Sequence, residues 1–246
     1  MSSRSWQSFD GKIRALKQHL QLSDLALKLA NKKAVEFAGN GRKIAEILGG
    51  TLDTHMQLNI PNEKTDISRT FITSRNKLHE QAIIELYSVF SSYISSVIAE
   101  MEHKQPRRFL SILTGCGDRG INYDDIINIG NYDALIDEMA KRVFRTLENK
   151  RSTKELINSV IKITKIDIDA ELVDEALLFL EIRHLIIHND TKADEKFMNM
   201  AKREKVSVNT RTHKINLNFV ITNEAINAIF RLCKHIDDKL IEKELM

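Results

Sequence analysis

The two prolines of this 246-residue chain, Pro61 and Pro106, bracket a stretch whose apolar residues recur at helical spacing. Leu78, Ala82, Ile83, Leu86, Val89, Phe90, Tyr93, Ile94, Val97 and Met101 form one wide stripe. It predicts a helix from about Asp66 to Glu102, ended by Pro106. Proline and glycine are the residues a helix interior tolerates least, and the chain holds only two and nine of them. With 42% hydrophobic content, it is expected to bury its core with long helices rather than in a loop-rich sandwich.

The same periodicity continues along the chain. Ile13, Leu16, Leu20, Leu22, Leu25 and Leu29, then Ile44, Ile47 and Leu48, predict two or three short helices within 11–48. Gly39-Asn-Gly41 separates them, and Gly49-Gly50 stops the last. Pro61-Asn62 marks the boundary between a helical N-terminal extension, 1–63, and a helical domain, 64–246. Residues 107–131, with four glycines, predict a short helix and an irregular connection. Helices follow over Tyr132–Asn149, from the capping box Ser152-x-x-Glu155 to Ile163, and over 170–188 with Asp169 as cap. The period changes near 206–220, where Val206, Val208, Ile215, Leu217 and Phe219 alternate with polar residues, so a small β-hairpin or extended arm is expected. A last helix, capped by Asn223, runs to about Ile241. The fold class is therefore all-α: a bundle of four to five helices with that arm and the N-terminal extension.

Charge narrows the function classes. The net charge is only +3, yet residues 1–50 carry nine Lys/Arg against four Asp/Glu, which makes the extension basic. Residues 141–165 are basic again, with Arg142 and Arg145 among them. Either cluster can hold a phosphate backbone or form a solvated helix face. Fewer aromatics than a base-stacking sheet needs argue against such a platform. Cys116 and Cys233 have no metal-type spacing, so a reduced, cytoplasmic chain is expected. The N-terminus has no apolar signal core, and Leu86–Ala99, broken by five serines, is too short and too polar to span a bilayer. No membrane partner is expected.

The chemistry concentrates in Glu181-Ile-Arg-His-Leu-Ile-Ile-His-Asn-Asp190. Ionisable groups inside so apolar a helix are costly unless they are paired or face a site. Arg183 is a permanent cation for a phosphate, and His188 moves a proton near neutral pH. Five residues apart, they lie about 140° apart around an ideal helix. Convergence then requires that the helix loosen near Asn189, that Arg183 reach around, or that a second copy supply partners. A bland reading also exists, in which Glu181 pairs with Arg183 and a cationic His188 caps the helix C-terminus. His184 and His188 share a face at i, i+4, as two metal ligands would, but a third ligand is not well placed by spacing. Gly115-Cys-Gly-Asp-Arg-Gly120 lacks the Lys-Ser/Thr of a phosphate loop.

Arg183, the polar His184, three apolar residues and His188-Asn189 resemble the R-x(4–6)-H signature of the HEPN superfamily, on the penultimate long helix. The resemblance covers residues 64–246 and none of 1–63. It implies a metal-independent endoribonuclease with no cofactor, cutting RNA to a 2′,3′-cyclic phosphate at a cleft where two motifs of a homodimer meet. His188 would be general base or acid, and Arg183 would stabilise phosphate charge. Asn189 and Glu181 would orient or support them. His184 fills a slot where relatives often carry Asn or Asp, and Lys192, Arg142 and Arg145 would touch RNA. The resemblance further implies a toxin or antiviral defence effector silenced by an antitoxin or sensor partner. The alternatives are a non-catalytic RNA- or nucleotide-binding adapter of the same fold and, from residues 11–48, a helical DNA-binding regulator.

Overall fold

The computed structural model describes residues 2–38, 44–49, 63–105, 123–148, 153–204 and 206–246. Among these residues the protein is all-α, with nine helical segments and no strand. They are α1 Arg4–Phe37, α2 Ile44–Ile47, α3 Lys64–Lys104, α4 Tyr123–Ile129, α5 Tyr132–Glu148, α6 Thr153–Thr164, α7 Ala170–His188, α8 Glu195–Glu204 and α9 Phe219–Glu242.

The core is built where α1, α3, α7 and α9 meet. Their stripes interlock: Phe9, Leu16 and Leu20 of α1, Ile83, Phe90 and Ile94 of α3, Leu178 and Ile182 of α7, and Ile229 and Ile236 of α9 are all buried. Each such side chain removed from water contributes about 1.5–3 kcal/mol. Trp6, Phe9, Tyr93 and Phe230 pack ring against ring, with Phe9–Tyr93 centroids 4.9 Å and Trp6–Phe230 centroids 5.0 Å apart. The Tyr93 hydroxyl donates to the Cys233 carbonyl at 2.9 Å, which satisfies it inside the core.

Residues 11–48 do not form two or three short helices. The first 34-residue helix is continuous to Phe37, because its inward face never runs out of partners on α3. The two lie antiparallel: Ser5 meets Glu100, Lys12 meets Ser92 and Asp24 meets Arg75. The separator at Gly39–Gly41 lies outside the described residues. The boundary near 63 divides the chain in sequence, but Trp6 to Leu20 belong to the same core as α3 and α9. Opposite that face, Leu22, Leu25 and Leu29 are 54–71% exposed, so α1 is apolar on both sides there.

Three boundaries differ from the sequence reading. The last helix starts at Phe219, capped by Asn218, whose side chain accepts from the Ile221 N–H at 3.1 Å, and not at Asn223. A helix, α8, forms over Glu195–Glu204, capped by Asp194 accepting from the Phe197 N–H at 2.7 Å. The arm at 206–220 forms two isolated antiparallel bridges, Val208 with Ile215 and Lys192 with Lys214. Ser152 and residues 106–122 lie outside the described residues. Apolar content and length would let α3 cross a membrane, which the serines of 86–99 do not foretell; 56% of that window is buried inside the protein, as in a core helix.

Candidate functional site at the end of α7

α7 is driven inward by its own composition. Asp169 caps it, accepting from the Glu171 N–H at 2.9 Å, and Val173, Ala176 through Leu180, Ile182 and Leu185 are buried. Its first turn is exposed at Ala170 and Glu171, and its last two turns reach the surface again. There Glu181 and Arg183 are half-buried, while His184, Ile187 and His188 are exposed. The helix stays α-helical through His188, and Asn189 is its C-cap, donating its N–H to the Leu185 carbonyl at 3.0 Å.

Arg183 lies with its guanidinium carbon 4.5 Å from the centroid of the Tyr87 ring of α3. Its Nε is buried and has no hydrogen-bond partner. A buried N–H without an acceptor is costly, so this guanidinium is an unmatched donor at the edge of the core. His184 follows it directly in sequence, and His188 lies about 1.4 turns further along the helix. His184 and His188 rings contact each other, centroids 4.6 Å apart and tilted by 46°. On helix geometry His184 lies about 100° from Arg183 and about 40° from His188. The structure therefore brings the two histidines together and seats Arg183 on Tyr87. Because α7 does not loosen before Asn189, Arg183 and His188 remain on opposite flanks of the exposed strip.

Past the helix the chain turns sharply. Asp190 and Thr191 have φ of 50° and 63°, the left-handed region that β-branched residues avoid. The Thr191 N–H donates to the Leu185 carbonyl at 3.0 Å, and the Ile215 N–H donates back to the Thr191 carbonyl at 3.0 Å, so the arm pins the turn. Lys214 Nζ sits 2.7 Å from the Asp190 carboxylate, and that hydrogen bond holds the carboxyl below the usual carboxylate range. Lys192 is exposed beside the turn, its N–H on the Asn189 carbonyl at 2.9 Å. Arg142 and Arg145 ride on α5, which packs on α3 and α6; Arg142 pairs with Glu138 at 3.3 Å, and Arg145 is exposed.

Tyr87 was not marked by the sequence pattern, because its role comes from packing between residues 96 positions apart. The same holds for Lys214 against Asp190. Among the described residues, no three His, Cys, Asp or Glu side chains stand together as metal ligands, so His184 and His188 have no third partner there. No family model, curated protein or solved structure matches this chain.

Proposed function

We propose that this protein is a metal-independent endoribonuclease of HEPN type, with Arg183 and His188 as its catalytic residues. The observation that carries the reading is Arg183: a guanidinium stacked on Tyr87, with a buried Nε that lacks an acceptor, near two exposed, touching histidines. The residue as a whole is only half-buried, so a phosphate oxygen can accept from the other N–H groups of this guanidinium. In the reaction the ribose O2′ attacks the adjacent phosphorus, His188 takes the hydroxyl proton, and the P–O5′ bond breaks. The products are a 2′,3′-cyclic phosphate and a 5′-hydroxyl, with the leaving oxygen protonated by a second histidine or by water. Arg183 stabilises charge on the non-bridging oxygens.

Separation of Arg183 and His188 around a continuous helix favours a site completed by a second copy. Asn189, His184 and Glu181 would support it, with Lys192, Arg142 and Arg145 on the RNA backbone. In a cell such an activity would arrest growth unless an antitoxin or sensor held it silent. The same separation equally fits a non-catalytic RNA-binding adapter, so the two are tested together. Purified wild type, Arg183→Ala and His188→Ala are incubated with mixed RNA in EDTA. Cutting by wild type alone, leaving cyclic-phosphate ends, is the expected result. Binding without cutting by all three makes the protein the adapter.

A further inference from the structure

A cleft of 430 Å³ opens between the first half of α3 and the arm at 209–217, immediately beyond the turn that ends α7. We propose that it is a nucleobase subsite, seating one base of a single-stranded RNA next to the bond that His188 addresses; this rests on the ribonuclease reading. Four observations point the same way.

The first is position. Asp190 and Thr191 line the cleft, and His188 is two residues before Asp190, a chain distance of about 7 Å at most. The second is charge. The cleft holds two cations, each with its own carboxylate: Lys77 with Glu80 at 2.6 Å and Lys214 with Asp190 at 2.7 Å. Self-neutralised, it offers no surplus positive charge to a phosphate. The third is the remaining chemistry. Asn76 and Asn216 project exposed side-chain amides, and Thr212 adds a hydroxyl, above buried Ile215 and Leu217. Amides offer paired donors and acceptors that match the edge of a flat heterocycle, and the apolar floor matches its face. The fourth is backbone strain. Asp190, Thr191 and His213 are all left-handed without being glycine, and such strain persists only where surrounding contacts hold it. The hydrogen bonds joining the turn to the arm do so, which gives the cleft a fixed shape before any ligand enters.

The probes are the four ribonucleoside 5′-monophosphates, titrated calorimetrically into wild type, Asn76→Ala and Asn216→Ala. The expected result is one base preferred by about 10-fold or more, the worth of one good bidentate contact. The two asparagine variants, both at exposed positions, flatten that preference. Inorganic phosphate at equal concentration displaces nothing. Equal affinity for all four bases, displacement by phosphate, or no binding overturns the proposal. RNA cleavage separates this from the catalytic reading. Selective nucleotide binding without cleavage keeps the subsite and removes the nuclease. Cleavage whose base preference is unchanged in both asparagine variants keeps the nuclease and removes the subsite.

Discussion

At Arg183 one ring decides where a charge can act. Contact with the Tyr87 ring, 4.5 Å from centroid to guanidinium carbon, holds the cation at the edge of the core. A cation–π contact of this kind is worth about 0.5–2 kcal/mol, so Tyr87→Leu is expected to lower kcat/KM for RNA by roughly 2- to 30-fold. Tyr87→Phe, which keeps the ring, should stay within about twofold of wild type. Initial rates on one RNA substrate check this, and equal losses in both variants would assign the role to the hydroxyl instead. A second residue sets a pH limit on the fold. Glu102 is 1% exposed and both its carboxyl oxygens lack hydrogen-bond partners. Burial pushes its pKa up to about 8, with Asp137 adding repulsion. The native state thus binds a proton that the unfolded chain releases at ordinary carboxylate pH. The stabilisation is complete at pH values below the unfolded pKa and is lost as pH rises toward 8. Wild type should lose about 1.4 kcal/mol for each pH unit between roughly 5 and 8 from this group. Glu102→Gln should flatten that slope, as read from urea midpoints at pH 5 and 8.

Between helices the most demanding contact is a polar knot at the crossing of α1, α3 and α9. Asp24 is 2% exposed and accepts from Arg75 at 2.8 Å and Lys28 at 2.8 Å, with His79 Nε2 3.3 Å away. Thr222 of α9 closes the knot, 3.3 Å from His79 Nδ1. Burial acts to raise the Asp24 pKa, but the hydrogen bonds from Lys28 and Arg75 outweigh it and hold the carboxyl below its ordinary value. Its contribution is therefore present above the unfolded carboxylate pKa and lost as pH falls through the lower, folded one. Arg75→Met leaves a buried carboxylate with one cation and should cost about 3 kcal/mol, measured by denaturant unfolding. Capping gives a sharper comparison. Asn218→Ala should cost about 1 kcal/mol because it orphans the Ile221 N–H, while Asn223→Ala should stay within about 0.5 kcal/mol. Sequence periodicity pointed to Asn223, since the stripe of Ile226 and Ile229 begins near it; the helix starts a turn earlier because Ile221 is also buried. For the same reason α3 and α7 were legible almost to the residue, their stripes and the Asp169 cap being local signals. The continuity of α1 was not legible. Polar Asp24 and Asn31 interrupt its apolar spacing; the Asp24–Arg75 pair and then Ala34, buried with Ile67 of α3, explain why the helix runs on.

For the molecule as a whole, the question is whether one chain holds a complete site. The motif could be read from Arg183, His188 and Asn189 in sequence, because all three sit on one short segment. Tyr87 and the 209–217 arm could not, because they arrive from 96 residues before it and more than 20 after it. Folding has brought those groups to the end of α7 without closing the angle between Arg183 and His188. If the working pair is an arginine from one copy and a histidine from its partner, two dead variants should rescue each other. Arg183→Ala retains His188, and His188→Ala retains Arg183, so a mixed dimer keeps one intact pair across its two-fold axis. Mixing equal amounts, with time for exchange, makes about half the dimers mixed and should restore about a quarter of wild-type cleavage. A site formed within one chain has no such route, and the mixture would stay as inactive as either variant alone. Sedimentation of the same samples supplies the companion reading, since rescue requires a species of twice the chain mass at the assay concentration.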